Sequence, residues 1–89
     1  MICMLCRNRV ADYANWREVF DSHSGDHART GLRLIGLWRD VQDANSVFFN
    51  FEVTDMERAR AFISSPESEQ AGKDSGVIDG EYHFAEAVA

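Results

Sequence analysis

Positive charge is scarce in this chain: nine Lys and Arg stand against fifteen Asp and Glu, for a formal charge of −6 and a pI near 4.8. No block of basic residues interrupts that balance, so the long-range field repels phosphate backbones and anionic lipids. Nucleic acid and membrane surfaces are therefore not expected as partners. Long apolar runs are missing too, and none approaches the roughly 20 residues of a transmembrane helix. The run Ile2–Leu5 is too short for a signal h-region and is followed, not preceded, by basic residues. A cytoplasmic location is expected. The sequence has no glycine-rich phosphate loop, no nucleophile elbow and no dinucleotide fingerprint, which argues against nucleotide-dependent chemistry. Cysteine is limited to Cys3 and Cys6. Three residues apart on a strand, they point to opposite faces and cannot readily join in a disulfide. A metal site would need a second ligand pair, so both read as small apolar residues in a reducing compartment.

What the chain does have is the run Ser46-Val-Phe-Phe-Asn-Phe-Glu-Val53, a strand with large apolar groups on both alternating faces. Val47, Phe49, Phe51 and Val53 form one face; Phe48, Asn50 and Glu52 form the other. At 89 residues the chain is a single domain, residues 1–89, near the size at which one core is marginal. About two helices can cover one face of its sheet. The other face then calls for a second subunit.

The remaining elements follow from patterning. Ile2–Arg9 reads as a first strand, with Asp12 as N-cap of the helix after it. Tyr13, Trp16, Phe20, His23 and His27 recur at three- and four-residue spacing and draw one stripe along that helix. Ser22–Gly25 is a weak helical stretch, so a bend is expected near Ser24 before Gly31 closes the helix. Leu32–Asp40 and Ser46–Val53 form a hairpin around the polar turn Val41–Asn45. Thr54 and Glu57 match a capping box for a second helix over Asp55–Ser64, buried through Met56, Ala59, Phe62 and Ile63. Ser65-Pro66 is an N-cap followed by proline, restarting a short helix that stops at Gly76. Gly80–Val88 is the last strand. The fold class is α+β: a ferredoxin-like βαββαβ antiparallel sheet with the first and third strands central and the helices on one face, the other face packing against its twin in a second subunit.

The segments Asp12-Tyr-Ala-Asn-Trp-Arg-Glu-Val-Phe-Asp-Ser-His23, Asp55-Met-Glu-Arg-Ala-Arg-Ala-Phe-Ile-Ser-Ser-Pro-Glu67 and Gly76-Val resemble the dimeric α+β barrel superfamily, which includes antibiotic-biosynthesis monooxygenase-like proteins. The resemblance covers most of the chain. It implies a homodimer whose two sheets form an α+β barrel, with a pocket near the sheet and helices, while the superfamily's activities range over oxygenases, isomerases, haem-degrading enzymes and binding proteins. Similar small members carry bulky apolar residues on the short helix after Ser-Pro-Glu. Here Ser68, Ala71, Gly72 and Ser75 occupy it, which predicts a loose lid.

Two histidines are the candidates for acid/base chemistry. His23 stands where the resembling family often has a histidine, and its neutral imidazole suits a general base toward a ligand; the alternative is a histidine bordering the core and bonded to backbone. His83, in the last strand, shares a face with Glu81 and Ala85. It either couples to Asn50 or Glu52 or joins a polar network at the dimer interface. His23 and His27 form an i, i+4 pair, with Asp26 or a residue of a neighbouring element as the candidate third ligand, but two imidazoles are not a metal site, and neither metal nor cofactor is expected. Tyr13, Trp16, Phe20, His27, Trp38, Asn50 and Glu52 are the candidate ligand-contacting residues. Asn8, Trp38 and a histidine superficially match the haem-degrading branch, yet the second helix has no histidine. Arg33 and Arg39 are placed on one face of the second strand with Ile35 and Leu37, either binding an acidic ligand or pairing with Glu52. Arg58 and Arg60 fall on a solvated face. The expected function is binding of a small apolar or aromatic molecule by a homodimer. The alternatives are a cofactor-independent monooxygenase-like or isomerase-like enzyme using a pocket histidine, and a structural or regulatory dimerisation module.

Overall fold

The run Ser46–Val53 lies at the centre of the sheet. In the computed structural model, which describes residues 1–23 and 27–89 and the side chains of all of these but residues 27 and 28, the strands are β1 (Ile2–Val10), β2 (Leu32–Arg39), β3 (Ser46–Val53) and β4 (Val77–Glu86). They form one antiparallel sheet in the order β2-β3-β1-β4. The two strands with apolar residues on both faces are thus the central pair, where neither face can be left to water. Helices α1 (Tyr13–His23), α2 (His27–Thr30), α3 (Met56–Ile63) and α4 (Pro66–Asp74) complete the chain. The bend expected near Ser24 lies outside the described residues, as does Asp26. Among the described residues no helix is long and apolar enough to cross a membrane.

Register fixes which side chains face the helices. Cys6 lies opposite Phe49, Met4 opposite Phe51 and Asn8 opposite Val47, so these six share the helix-covered face. Met4, Cys6, Val10, Trp16, Leu32, Val47, Phe49 and Ala59 form the buried core. Trp16 anchors it, 2 % exposed, with its ring 4.7 Å from Phe20 and 5.6 Å from Phe49 between centroids. Cys3, Leu5, Arg7, Phe48, Asn50 and Glu52 occupy the opposite face of the central pair. Leu5, Phe48 and Trp38 are left 44 %, 37 % and 57 % exposed.

Three sequence expectations need correction. A bulge between Leu34 and Gly36 breaks the alternation of β2: Leu34 pairs with Phe51, but Leu37 pairs with Phe49. The extra residue moves Leu37 and Arg39 to the helix face and leaves Arg33 on the other. Arg33 pairs with Glu52 at 3.2 Å, while Arg39 lies over the Tyr13 ring, 4.1 Å from its centroid. The cap of α3 is Asp55, whose carboxylate accepts from Arg58 N at 3.0 Å, not Thr54. The last strand begins at Val77, earlier than expected, because Gly76 (φ 72°) turns the chain out of α4 straight into pairing with Val10.

The other expected caps are present. The Asp12 carboxylate accepts from Ala14 N at 3.0 Å, and Ser65 Oγ accepts from Ser68 N at 3.1 Å ahead of Pro66. Gly31 closes α2 with φ 68° and accepts from Thr54 N at 2.9 Å, bringing β2 against the start of α3. A Cβ there would run into the Asp55 carbonyl oxygen and lie 3.2 Å from Ala59 N. Only glycine fits this crossing.

Candidate functional site

A cavity of about 380 Å³ lies between the helix-covered face of the sheet and the helices. Its floor is Met4, Cys6 and Asn8 from β1 with Phe49 and Phe51 from β3. The α1 stripe supplies one wall, Trp16, Phe20 and His23, because spacings of three and four residues keep these side chains on one helical face. Phe62 and Ile63 of α3 and Tyr82 of β4 line the opposite side.

The space exists because of α4. Ser68, Ala71, Gly72 and Ser75 face the cavity, and a Cβ added at Gly72 would meet nothing within 4 Å. Where a bulky residue would fill the interior, this helix presents small ones. Gly80 makes the second allowance. It lies opposite Asn8, and a Cβ on Gly80 would collide with the Asn8 side-chain oxygen. The Asn8 amide therefore lies across the glycine, at the cavity wall. Among the described residues no group of the chain hydrogen-bonds that amide. It retains two donors and an acceptor for a guest.

The cavity is electrically quiet. Among the described residues no Lys or Arg lines it. Burial pushes the Cys6 thiol up to about 12, so it stays protonated and is a wall group rather than a nucleophile. Glu81 borders the cavity, but its carboxylate turns to the other face of the sheet, accepting from Arg7 Nε at 2.9 Å and lying 3.1 Å from His83 Nε2. The hydrogen bond from Arg7, then that from His83, holds Glu81 below the usual carboxylate range. His23 is exposed at the rim. Among the described residues no group of three or more His, Cys, Asp or Glu side chains could hold a metal ion.

Of the candidate catalytic and ligand-contacting residues named from sequence, Trp16, Phe20 and His23 meet at this cavity. The side chain of His27 lies outside the described residues. The others stand elsewhere. His83 is on the uncovered face, and Leu5 of β1 separates it from Asn50, since Leu5 pairs with both. The anticipated coupling of His83 to Asn50 or Glu52 is therefore replaced by its contact with Glu81, while Glu52 is occupied by Arg33. Tyr13 sits under Arg39, and its hydroxyl accepts from Arg17 at 3.3 Å. The Trp38 ring lies over Gly36, the partner of Asn50. The Asn50 side-chain oxygen is buried on that face, with no hydrogen-bond partner among the described residues.

Sequence reasoning passed over Met4, Cys6, Phe49, Phe51 and Phe62 as site residues because core and cavity walls share one composition. Asn8 did leave a signal. It is the one polar residue among the even positions of β1, where Met4, Cys6 and Val10 are apolar and buried.

No family model matches the sequence, and no curated protein matches it. Solved structures do match in shape. SnoaB from Streptomyces nogalater, a cofactor-independent oxygenase, superposes with a TM-score of 0.78 at 21% identity, over 99% of this chain and 93% of its own. An antibiotic biosynthesis monooxygenase-like protein of Bordetella bronchiseptica gives 0.79 at 13% identity, over 99% and 97%. A NIPSNAP domain protein of Burkholderia xenovorans gives 0.69 at 18% identity, over 100% and 96%. At these identities the likeness is one of fold. The chain has the ferredoxin-like fold of the antibiotic biosynthesis monooxygenase-like proteins, as the resemblance implied.

Proposed function

We propose that this chain acts as a homodimer that binds a small apolar or aromatic organic molecule in the cavity between sheet and helices. The observation that carries the reading is an apolar space of about 380 Å³ walled by Trp16, Phe20, Phe49, Phe51 and Phe62, with the unengaged Asn8 amide at one side. A dry cavity of about 150 Å³ accommodates benzene, so this one has room for two or three fused rings. Asn8 then orients the guest through a carbonyl or hydroxyl, and His23 stands at the rim.

The second copy is proposed for the uncovered sheet face. Leu5, Phe48 and Trp38 expose apolar surface there, and the partnerless Asn50 oxygen would cost about 1–3 kcal/mol if left buried and unsatisfied. A second protomer can cover the first and supply a donor to the other. The free thiols of Cys3 and Cys6 suit the reducing cytoplasm proposed as its setting.

Calorimetric titration with naphthol, a neutral two-ring compound, tests binding, and sedimentation tests assembly. The reading expects saturable uptake by a dimer that Trp16→Ala and Asn8→Ala both weaken. No uptake by well-folded wild-type protein would overturn it.

A second reading is favoured by the placement of Asn8 and His23 on one cavity and by the fold shared with the oxygenase SnoaB. In it the chain is a cofactor-independent monooxygenase-like enzyme whose neutral His23 takes a proton from the bound substrate. His23→Ala would then abolish turnover while leaving the dimer and the naphthol affinity intact; retained turnover would exclude His23 as the base.

A further inference from the structure

A smaller cavity of about 290 Å³, lined by Arg60, Ile63, Ser64, Tyr82 and Phe84, adjoins the main one. The two share Ile63 and Tyr82 as walls. Tyr82 is half exposed, so the boundary between them is a side chain at the surface rather than a packed layer. Arg60 stands over the Phe84 ring, 5.5 Å from its centroid, and Phe84 in turn meets Tyr82 edge-on at 5.9 Å. Stacking on a ring holds a guanidinium in place without using its hydrogen-bond donors. Ser64, beside it, directs its hydroxyl to the Arg60 carbonyl at 3.0 Å.

Among the described residues Arg60 has no counter-ion. Arg7, Arg9, Arg17, Arg29, Arg33, Arg58 and Lys73 each pair with a carboxylate. Among the described residues only Arg39 and Arg60 have none, and Arg39 is at the far end of α1, over Tyr13. In a chain with fifteen acidic residues, an unmatched cation beside this apolar cavity sets up a division of labour. The inner cavity has no cation and would exclude a buried ion, whose uncompensated cost is several kcal/mol. The outer cavity offers a cation at its surface.

Resting on the binding reading above, we infer that the cavity's natural guest is an amphiphilic acid, with its apolar body inside and its carboxylate outside against the Arg60 guanidinium. One guanidinium presents paired donors matched to one carboxylate. A phosphate dianion would need more positive charge than this corner holds, in a molecule whose net charge is −6.

The test compares naphthylbutanoate with naphthylbutanamide, the same body with and without the charge, by calorimetry at low ionic strength. Wild-type protein is expected to bind the acid roughly tenfold more tightly than the amide, with added salt narrowing the gap. Arg60→Gln should erase the preference and leave the amide's affinity unchanged. Arg58→Gln removes the same charge from the same helix and should keep the preference. Equal binding of acid and amide by the wild type, or equal losses in R60Q and R58Q, would overturn the inference while leaving the binding reading standing. Failure of the wild type to bind either compound would overturn both.

Discussion

Replacing Gly72 with leucine should make the protein more stable and less able to bind. Gly72 is in the second turn of α4, with no neighbour within 4 Å of the place a Cβ would occupy. Glycine in a helix interior costs about 0.8–1 kcal/mol relative to alanine, and leucine recovers most of that. The added side chain enters the cavity beside Phe62 and Ile63 rather than displacing packed atoms. Burying even half of it against those residues contributes roughly another 1 kcal/mol. The sum, about 1–2 kcal/mol, should raise the melting temperature by roughly 4–15 °C for a domain of this size. Gly72→Ala isolates the helix contribution, giving about 1 kcal/mol with most of the cavity intact. Scanning calorimetry reads the stability of both variants, and naphthol titration reads the cavity. The alanine variant should bind nearly as wild type and the leucine variant at least tenfold more weakly. A destabilised leucine variant, or one that binds naphthol undiminished, would show that the space beside α4 is not the site.

Further outcomes follow from the same structure. Gly31→Ala should cost more than the roughly 1–2 kcal/mol of a left-handed conformation, because the new Cβ also meets the Asp55 carbonyl; urea denaturation would show this, and a loss below 1 kcal/mol would contradict it. Trp16→Ala should cost about 3–5 kcal/mol, read the same way, since its ring is the buried centre of the aromatic cluster. Burial raises the Cys6 thiol from 9.0 to about 12, so the fold binds that proton more tightly than the unfolded chain does. The resulting stability is complete below pH 9 and is lost as pH rises toward 12. Cys6→Ala should therefore show a shallower alkaline decline in melting temperature than the wild type; parallel declines would refute the assignment.

How far the sequence foretold this arrangement depended on the range of the signal. Period-two alternation placed β3 and β1 at the centre, because a strand with Phe48 and Phe49 on opposite faces has no other stable position. Local caps were equally legible where one residue fitted, as at Ser65-Pro66, and ambiguous where two did, as at Thr54 and Asp55. The bulge near Ile35 had no such signature. One inserted residue reversed the faces of Leu37 and Arg39 and invalidated the grouping made from alternation alone. His83 illustrates a second limit: its face was right relative to Glu81 and Ala85, yet which strand would meet it depended on lateral order and register, which local pattern does not encode. The cavity belongs to a third class, since Ser68, Ala71, Gly72 and Ser75 become a site only when the opposing wall is known.

The central claim is a homodimer that holds a small apolar molecule between its sheet and helices, and native mass spectrometry of freshly purified, untagged protein, with and without naphthol, tests it most directly. The account predicts the mass of two chains with up to one added guest per chain. A single chain of 10.1 kDa that acquires no added mass at saturating naphthol would contradict it.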